Sequence, residues 1–232
     1  MFQTISTGSS AIDSLLGGGV HIGMVTDIYG ESGSGKSQLC FALAANCAKC
    51  GYKVVYIDTA GTFRPERVIE ISGSSAALEK ITFMRALSTL DQIDSVNKIL
   101  DISPRLVIID TVTSLFSVEY SGPARHLAVM KHLHKLAVLA ITTGCAVVLT
   151  NMIRSVPITV TDQAGHNVTQ ASVPSQQREY LGSSVSIYSH MKLRLEIVDV
   201  EKSIYRASLV QPIGKKPALF NITMDRGITD VN

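Results

Sequence analysis

Gly30-Glu31-Ser32-Gly33-Ser34-Gly35-Lys36-Ser37 is a complete G-x-x-x-x-G-K-[ST] loop, and its flanks decide the fold. Upstream, Met24-Val25-Thr26-Asp27-Ile28-Tyr29 has the composition of a strand. Downstream, residues 36–50 are rich in Ala and Leu and stop at Gly51, the pattern of a helix. Three glycines let the backbone turn tightly enough for successive N–H groups to converge on phosphate oxygens. In such a loop the lysine, here Lys36, reaches the β- and γ-phosphates, and the Ser37 hydroxyl joins the shell of a Mg²⁺. Strand, loop and helix together predict nucleotide binding by Gly30, Glu31, Ser32, Gly33, Ser34, Gly35, Lys36 and Ser37. An empty glycine-rich turn would leave Lys36 unexplained.

Outward from the loop, strand and helix signals alternate. Strands are expected over residues 53–58, 81–86, 105–110 and 145–150, and helices from Pro65 and over 90–102 and 124–142. This alternation predicts an α/β fold with a mainly parallel, twisted sheet flanked by helices. Residues 191–198, 204–210 and 218–223 alternate apolar and polar side chains and predict a C-terminal antiparallel extension. One face of that extension is expected to be wet, with Lys192, Arg194 and Glu196 sharing a face. Residues 152–180 are rich in Ser, Thr, Gln, Pro and Val without periodicity, and a connection that long in a compact domain usually serves function. No repeat or linker divides the chain, so one domain over 1–232 is expected.

Composition narrows the partners. Charged residues are 17% of the 232, below the usual ~25%, which favours association with a partner or with itself. A net charge of +2 carries no global signature of nucleic-acid binding, so such binding must come from local patches. No run is apolar for the ~18 residues a membrane helix needs, and the polar N-terminus is no signal peptide. The expectation is an intracellular protein whose Cys40, Cys47, Cys50 and Cys145 are reduced thiols. Cys47-Ala48-Lys49-Cys50 has no second CxxC or His pair to complete a metal site. His132 and His134, two apart on a helix, face different sides and are expected to be solvated.

A phosphate loop needs a carboxylate near its metal, at the end of a neighbouring strand. Leu106-Val107-Ile108-Ile109-Asp110 has that form, four aliphatics and then an acid. Asp110 is expected to hold a Mg²⁺-bound water, with a helix cap as the plainer alternative.

Several further stretches resemble the RecA-like recombinases of archaea and eukaryotes. Ile57-Asp58-Thr59-Ala60-Gly61-Thr62-Phe63-Arg64-Pro65-Glu66-Arg67 is similar to the segment after that family's second core strand. Ser6-Thr7-Gly8 through Leu15-Leu16-Gly17-Gly18-Gly19 is similar to the motif that opens its core. Glu119-Tyr120-Ser121-Gly122, Leu149-Thr150-Asn151 and Asp225-Arg226-Gly227-Ile228 follow in the family's order. The resemblance spans the chain and implies a RecA-like P-loop ATPase core using ATP and Mg²⁺ in DNA recombination and repair. The chain opens almost at that core, so neither the family's small N-terminal helical domain nor its Phe-x-x-Ala self-association linker is expected. Phe41-Ala42-Leu43-Ala44 fits the linker pattern, but on the loop helix, where Phe41 is expected in the core. This minimal form most resembles the archaeal recombinase paralogues of the RadB type.

Two departures from the family pattern bear on activity. Where the family carries the glutamate that activates water, this chain has Ala60, and losing a general base typically costs ~10²–10⁴ in rate. Where the family has a glutamine that senses the γ-phosphate, this chain has Met152, whose thioether cannot donate. Glu31 is the first candidate stand-in, with Glu66 and Asn151 behind it. The resemblance places Arg67 on the adenine ring, against the alternative of a solvated helix arginine.

It also places DNA contacts at Arg125, in a shortened first loop, and at Arg154 and Arg178, near the ends of a second. That second loop has no aromatic residue before Tyr180, so single-strand binding is expected to be weak and salt-sensitive. Lys131, His132, Lys135 and Lys215-Lys216 fit either extra phosphate contacts or a solvated basic face.

The resulting expectation is a cytoplasmic, nucleoid-associated ATP-binding accessory of a full-length recombinase, hydrolysing slowly. The alternatives are an active DNA-dependent ATPase that self-associates into filaments and a KaiC-like regulatory ATPase not acting on DNA.

Overall fold

The computed structural model describes residues 3–156, 159–161, 167–169, 176–213 and 215–231, with side chains described outside 156–176. A two-stranded ribbon, β1 (Thr4–Ile5) and β2 (Val20–His21), flanks α1 (Ser10–Leu16). Ser9 caps α1 by accepting from Ile12 N. The main layer then follows as β3 (Val25–Gly30), α2 (Lys36–Lys49), β4 (Val54–Asp58), α3 (Pro65–Ser72) and β5 (Ile81–Arg85). Next come α4 (Thr89–Asn97), a single turn α5 (Ile99–Ile102), β6 (Leu106–Asp110), α6 (Ser114–Glu119), α7 (Gly122–Thr143) and β7 (Ala146–Val156). Short strands β8 (Thr159–Thr161) and β9 (Asn167–Thr169) pair with each other, and β10 (Gln176–Glu179) folds back antiparallel on β7. After α8 (Gly182–Ser186) the chain ends in β11 (Met191–Asp199), β12 (Ile204–Gln211), β13 (Ala218–Thr223) and β14 (Gly227–Asp230).

The sheet order is β14-β13-β12-β11-β3-β7-β6-β4-β5, and β11 through β5 run parallel. Alternation along each central strand fills two cores. Val54, Tyr56, Leu106, Ile108, Ala146 and Val148 face α2. Val55, Ile57, Val107, Ile109, Val147 and Leu149 face α6 and α7. Phe41 lies in the first core, its ring stacked 5.9 Å from that of Tyr56, as expected of a core residue. Because the parallel strands end on one edge, the loops after β3, β4, β6 and β7 gather there, where ligands bind in open α/β sheets.

Three expectations needed correction. β11 joins the sheet parallel to β3, so the antiparallel extension begins only at β12. Its Lys192 is 4% exposed and not on a wet face, because α8 and β10 close over that side. The helix expected over 90–102 breaks at Lys98 into α4 and α5.

Candidate nucleotide site and arginine cluster

Gly30 ends β3 where the neighbouring strand crowds it. A Cβ there would lie 2.2 Å from Leu195 O and 2.6 Å from Ser34 Oγ, so only glycine fits. Gly35 opens α2 at φ 93°, where a Cβ would meet Ile222 Cδ1 at 2.8 Å. Lys36 folds back over the loop, its Nζ donating to Gly30 O at 3.0 Å and Glu31 O at 2.6 Å. Burial pulls its pKa down and the Asp110 carboxylate pulls it back up, so a phosphate beside it would strengthen the second effect.

Asp110 collects four hydroxyls, from α2, β4, β7 and the turn after β4. Ser37 Oγ donates to its Oδ2 at 2.7 Å, Tyr56 Oη at 2.9 Å and Thr62 Oγ1 at 3.3 Å. Thr150 Oγ1 donates to Oδ1 at 2.5 Å. Burial first, and then the Asp110 charge, push the Tyr56 phenol well up, so it stays a donor. The pairing of Ser37 with Asp110 is the one predicted for a metal shell. The hydroxyls of Tyr56, Thr62 and Thr150 were not foreseen, because nothing local marks them.

A cleft of about 530 Å³ runs over the loop, lined by Lys36, Ser37, Ala60, Thr62, Asp110 and Met152 among others. Among the described residues lining it, Asp110 is the only carboxylate. Ala60 presents a methyl to this space, and its N–H is already given to Asp58 Oδ1 at 2.9 Å. Asp58 also accepts from the N–H groups of Gly61, Thr62 and Phe63 and pairs with Arg85 at 3.0 Å, and so shapes the whole turn. An acid just ahead of a glycine turn is the sequence signal that could have revealed this role.

The stand-ins fare poorly. Neither Glu31 nor Glu66 lines the cleft. Asn151 is buried, accepting from Thr113 Oγ1 at 2.7 Å and donating to Glu179 Oε1 and Tyr180 O. Arg67 lies just outside, held by Gln38 Oε1 at 3.1 and 3.2 Å, Thr223 O at 3.0 Å, Met224 O and Glu70.

The residues expected to touch DNA come together on one side of α7. Arg154 and Arg178 face each other directly in the β7–β10 pairing. Tyr180 stands beside them, its ring 5.5 Å from the Arg154 guanidinium and 5.9 Å from that of Arg125. Arg125 also donates to Tyr180 Oη and to Tyr120 O, each at 2.6 Å. The three arginines and His126 line a recess of about 370 Å³.

His132 corrects two expectations, since it is neither solvated nor able to reach a phosphate backbone. It is 1% exposed, packed 5.4 Å from the Phe116 ring and bonded to Gln92 Nε2 at 3.0 Å. Burial pushes its pKa down to about 4, with Lys135 adding to the effect. Cys47 is buried, Cys50 is exposed and both are free thiols. Among the described residues no cluster of His, Cys, Asp and Glu could hold a metal, and no helix is long and apolar enough to cross a membrane.

A phosphate loop at the end of β3, a hydroxyl-bound aspartate at the end of β6 and a mainly parallel sheet define a P-loop protein with a RecA-like core. Within that class the chain belongs to the Rad51 family, whose model matches residues 2–230. It is similar to the DNA repair and recombination protein RadA of Metallosphaera sedula, 38% identical over 175 residues, covering 67% of this chain and 54% of that protein. It is similar also to the DNA repair and recombination protein RadA of Ignicoccus hospitalis, 36% identical over 179 residues, covering 67% and 55%. The chain thus spans about half the length of these relatives.

Proposed function

We propose that this chain is an ATP-binding recombinase paralogue of the RadB type. It acts in DNA repair and homologous recombination as an accessory or regulator of a full recombinase. It binds single-stranded DNA weakly and hydrolyses ATP slowly. The similarity to two RadA proteins supports the setting, and the cleft supports the specific role.

The donors present suit a Mg²⁺-nucleotide. The Gly30 and Gly35 positions keep the loop clear of side chains, Lys36 offers an ammonium, and Ser37 with Asp110 offers a hydroxyl and a carboxylate 2.7 Å apart. When bound, the metal would supply charge neutralisation at the phosphate oxygens. The chain's own groups then bind and orient the phosphates, and little in the cleft can take a proton from water.

One observation carries the reading: Asp110 is the only carboxylate among the described residues lining the cleft, where Ala60 and Met152 stand at the positions that the family resemblance gives to a water-activating glutamate and a γ-phosphate-sensing glutamine. Binding is therefore retained and the hydrolytic apparatus is reduced. Comparing single-turnover ATP hydrolysis by the wild type and by Ala60→Glu tests this. A gain of ~10² or more in the variant is expected. Equal rates would overturn the proposal.

A further inference from the structure

The Met152 thioether cannot donate a hydrogen bond to a nucleotide, yet the cleft and the arginine cluster are joined through other side chains. The route starts at Asp110, whose Oδ1 accepts from Thr150 Oγ1 at 2.5 Å. The next residue on β7, Asn151, is fully buried and has every polar group in use. Its Oδ1 accepts from Thr113 Oγ1 at 2.7 Å and Met152 N at 2.9 Å, and its Nδ2 donates to Tyr180 O at 2.7 Å and Glu179 Oε1 at 2.9 Å. Glu179 therefore sits between Arg178 and Tyr180 in the chain while its carboxylate points inward.

That carboxylate is held from the other side by Lys192 of β11, whose Nζ donates to Glu179 Oε2 and to Ser186 Oγ at 2.7 Å. Lys192 Nζ also lies 3.4 Å from Asp27 Oδ2 and 5.2 Å from the Tyr29 ring, both on the strand that leads into the phosphate loop. The side chains of Lys192, Asp27 and Glu179 are 5%, 0% and 8% exposed. A buried ion pair is weak evidence for stability, because desolvation offsets most of the attraction; its better-attested use is to fix one arrangement. Here two acids crowd one ammonium, and burial, then the Glu179 charge, push the Asp27 carboxyl well above the usual carboxylate range while Glu179 takes the direct hydrogen bond from Lys192. The arrangement therefore depends on where Glu179 stands.

We propose that Glu179 is the positioning residue that couples the two sites, tying the Arg154–Arg178–Tyr180 cluster to the nucleotide cleft through Asn151 on β7 and through Lys192 on β11. Displacing the strand that carries Arg178 and Tyr180 would withdraw Glu179 from Asn151, next to Thr150 and Asp110, and from Lys192, next to β3. The inference rests on the nucleotide-and-DNA reading above and adds how the two sites communicate.

The test measures affinity for a fluorescent oligo-dT, with and without Mg²⁺ and a non-hydrolysable ATP analogue, in the wild type, Glu179→Gln and Gly182→Ala. The second variant reaches the same carboxylate from outside, because a Cβ at Gly182 would lie 2.8 Å from Glu179 Oε2 and 3.0 Å from its Cβ. In the wild type the analogue should change DNA affinity by about 5- to 150-fold, the usual range of coupling. In both variants that ratio should fall towards one while analogue affinity stays within about twofold of wild type. A merely structural role would lower thermal stability and both affinities together and leave the ratio intact, which overturns the proposal. So does a wild-type ratio of one. If Glu179→Gln fails to fold, Gly182→Ala alone decides between these outcomes. A wild type that binds neither ligand sinks the functional reading itself, and one that binds both without coupling sinks only this inference.

Discussion

The Ser37 hydroxyl donates to Asp110 Oδ2 across 2.7 Å, so the two groups of the expected metal shell are already in contact. The same carboxylate is a structural hub, accepting also from Tyr56, Thr62 and Thr150. Asp110→Ala should therefore destabilise the fold by about 2–4 kcal/mol, because buried hydroxyls lose their acceptor. Asp110→Asn keeps an acceptor oxygen and should cost less, while losing the Mg²⁺-dependent part of nucleotide affinity. Urea unfolding of both variants beside nucleotide titrations with and without Mg²⁺ checks this; equal destabilisation by the two would refute it.

Lys36 is a separable case. Its ammonium serves only the carbonyls of Gly30 and Glu31 among its described hydrogen bonds. Lys36→Ala should leave stability within about 1 kcal/mol of wild type and weaken ATP binding by roughly tenfold or more, the loss of one charge-assisted contact. Calorimetric titration with ATP beside a melting curve distinguishes this from general unfolding.

At the arginine cluster the signature is salt dependence. Each of Arg154→Ala and Arg178→Ala should lower the slope of log affinity against log salt by about 0.7 for single-stranded DNA. Tyr180→Ala should cost about 1–3 kcal/mol of stacking with little change in slope. Anisotropy titrations over a salt series would show slopes unchanged in the arginine variants if these side chains do not meet phosphates.

His132 predicts an acid-sensitive fold. Its folded pKa of about 4 lies below the unfolded value of 6.5, so the unfolded chain takes up the proton first. Stability is full above pH 6.5 and falls as the pH drops towards 4, by about 2 kcal/mol between pH 7 and pH 5. His132→Phe should flatten that part of the profile. Unfolding midpoints in urea at both pH values measure it, and an equal drop in the variant would assign the effect elsewhere.

Much of the site was legible because its demands are local. The loop from Gly30 to Ser37 needs glycines where the backbone turns and a hydroxyl and an ammonium at set positions, and these are written in consecutive residues. Asp110 was legible for the same reason, as the acid that ends a run of buried aliphatics. Tyr56, Thr62 and Thr150 were not, since each is an ordinary residue until the sheet sets it beside that acid. His132 was misread because its helix spacing says which residues share a face, but not that Gln92 and Phe116 would enclose it. The stretch 152–180 was read as a long loop, and its two ends instead form paired strands; its middle lies largely outside the described residues.

By itself, the sequence determined the class: the loop, the strand ending in Asp110 and the mainly parallel sheet. These follow from backbone conformation and side-chain chemistry that act over a few residues. Tertiary structure decided that β11 runs parallel to β3, which buries Lys192 between Asp27 and Glu179. It also decided that β10 folds back on β7, which brings Arg154, Arg178 and Tyr180 together above the buried Asn151. Strand pairing and the burial of charge join residues far apart in the chain, and a local pattern cannot specify which of them will meet.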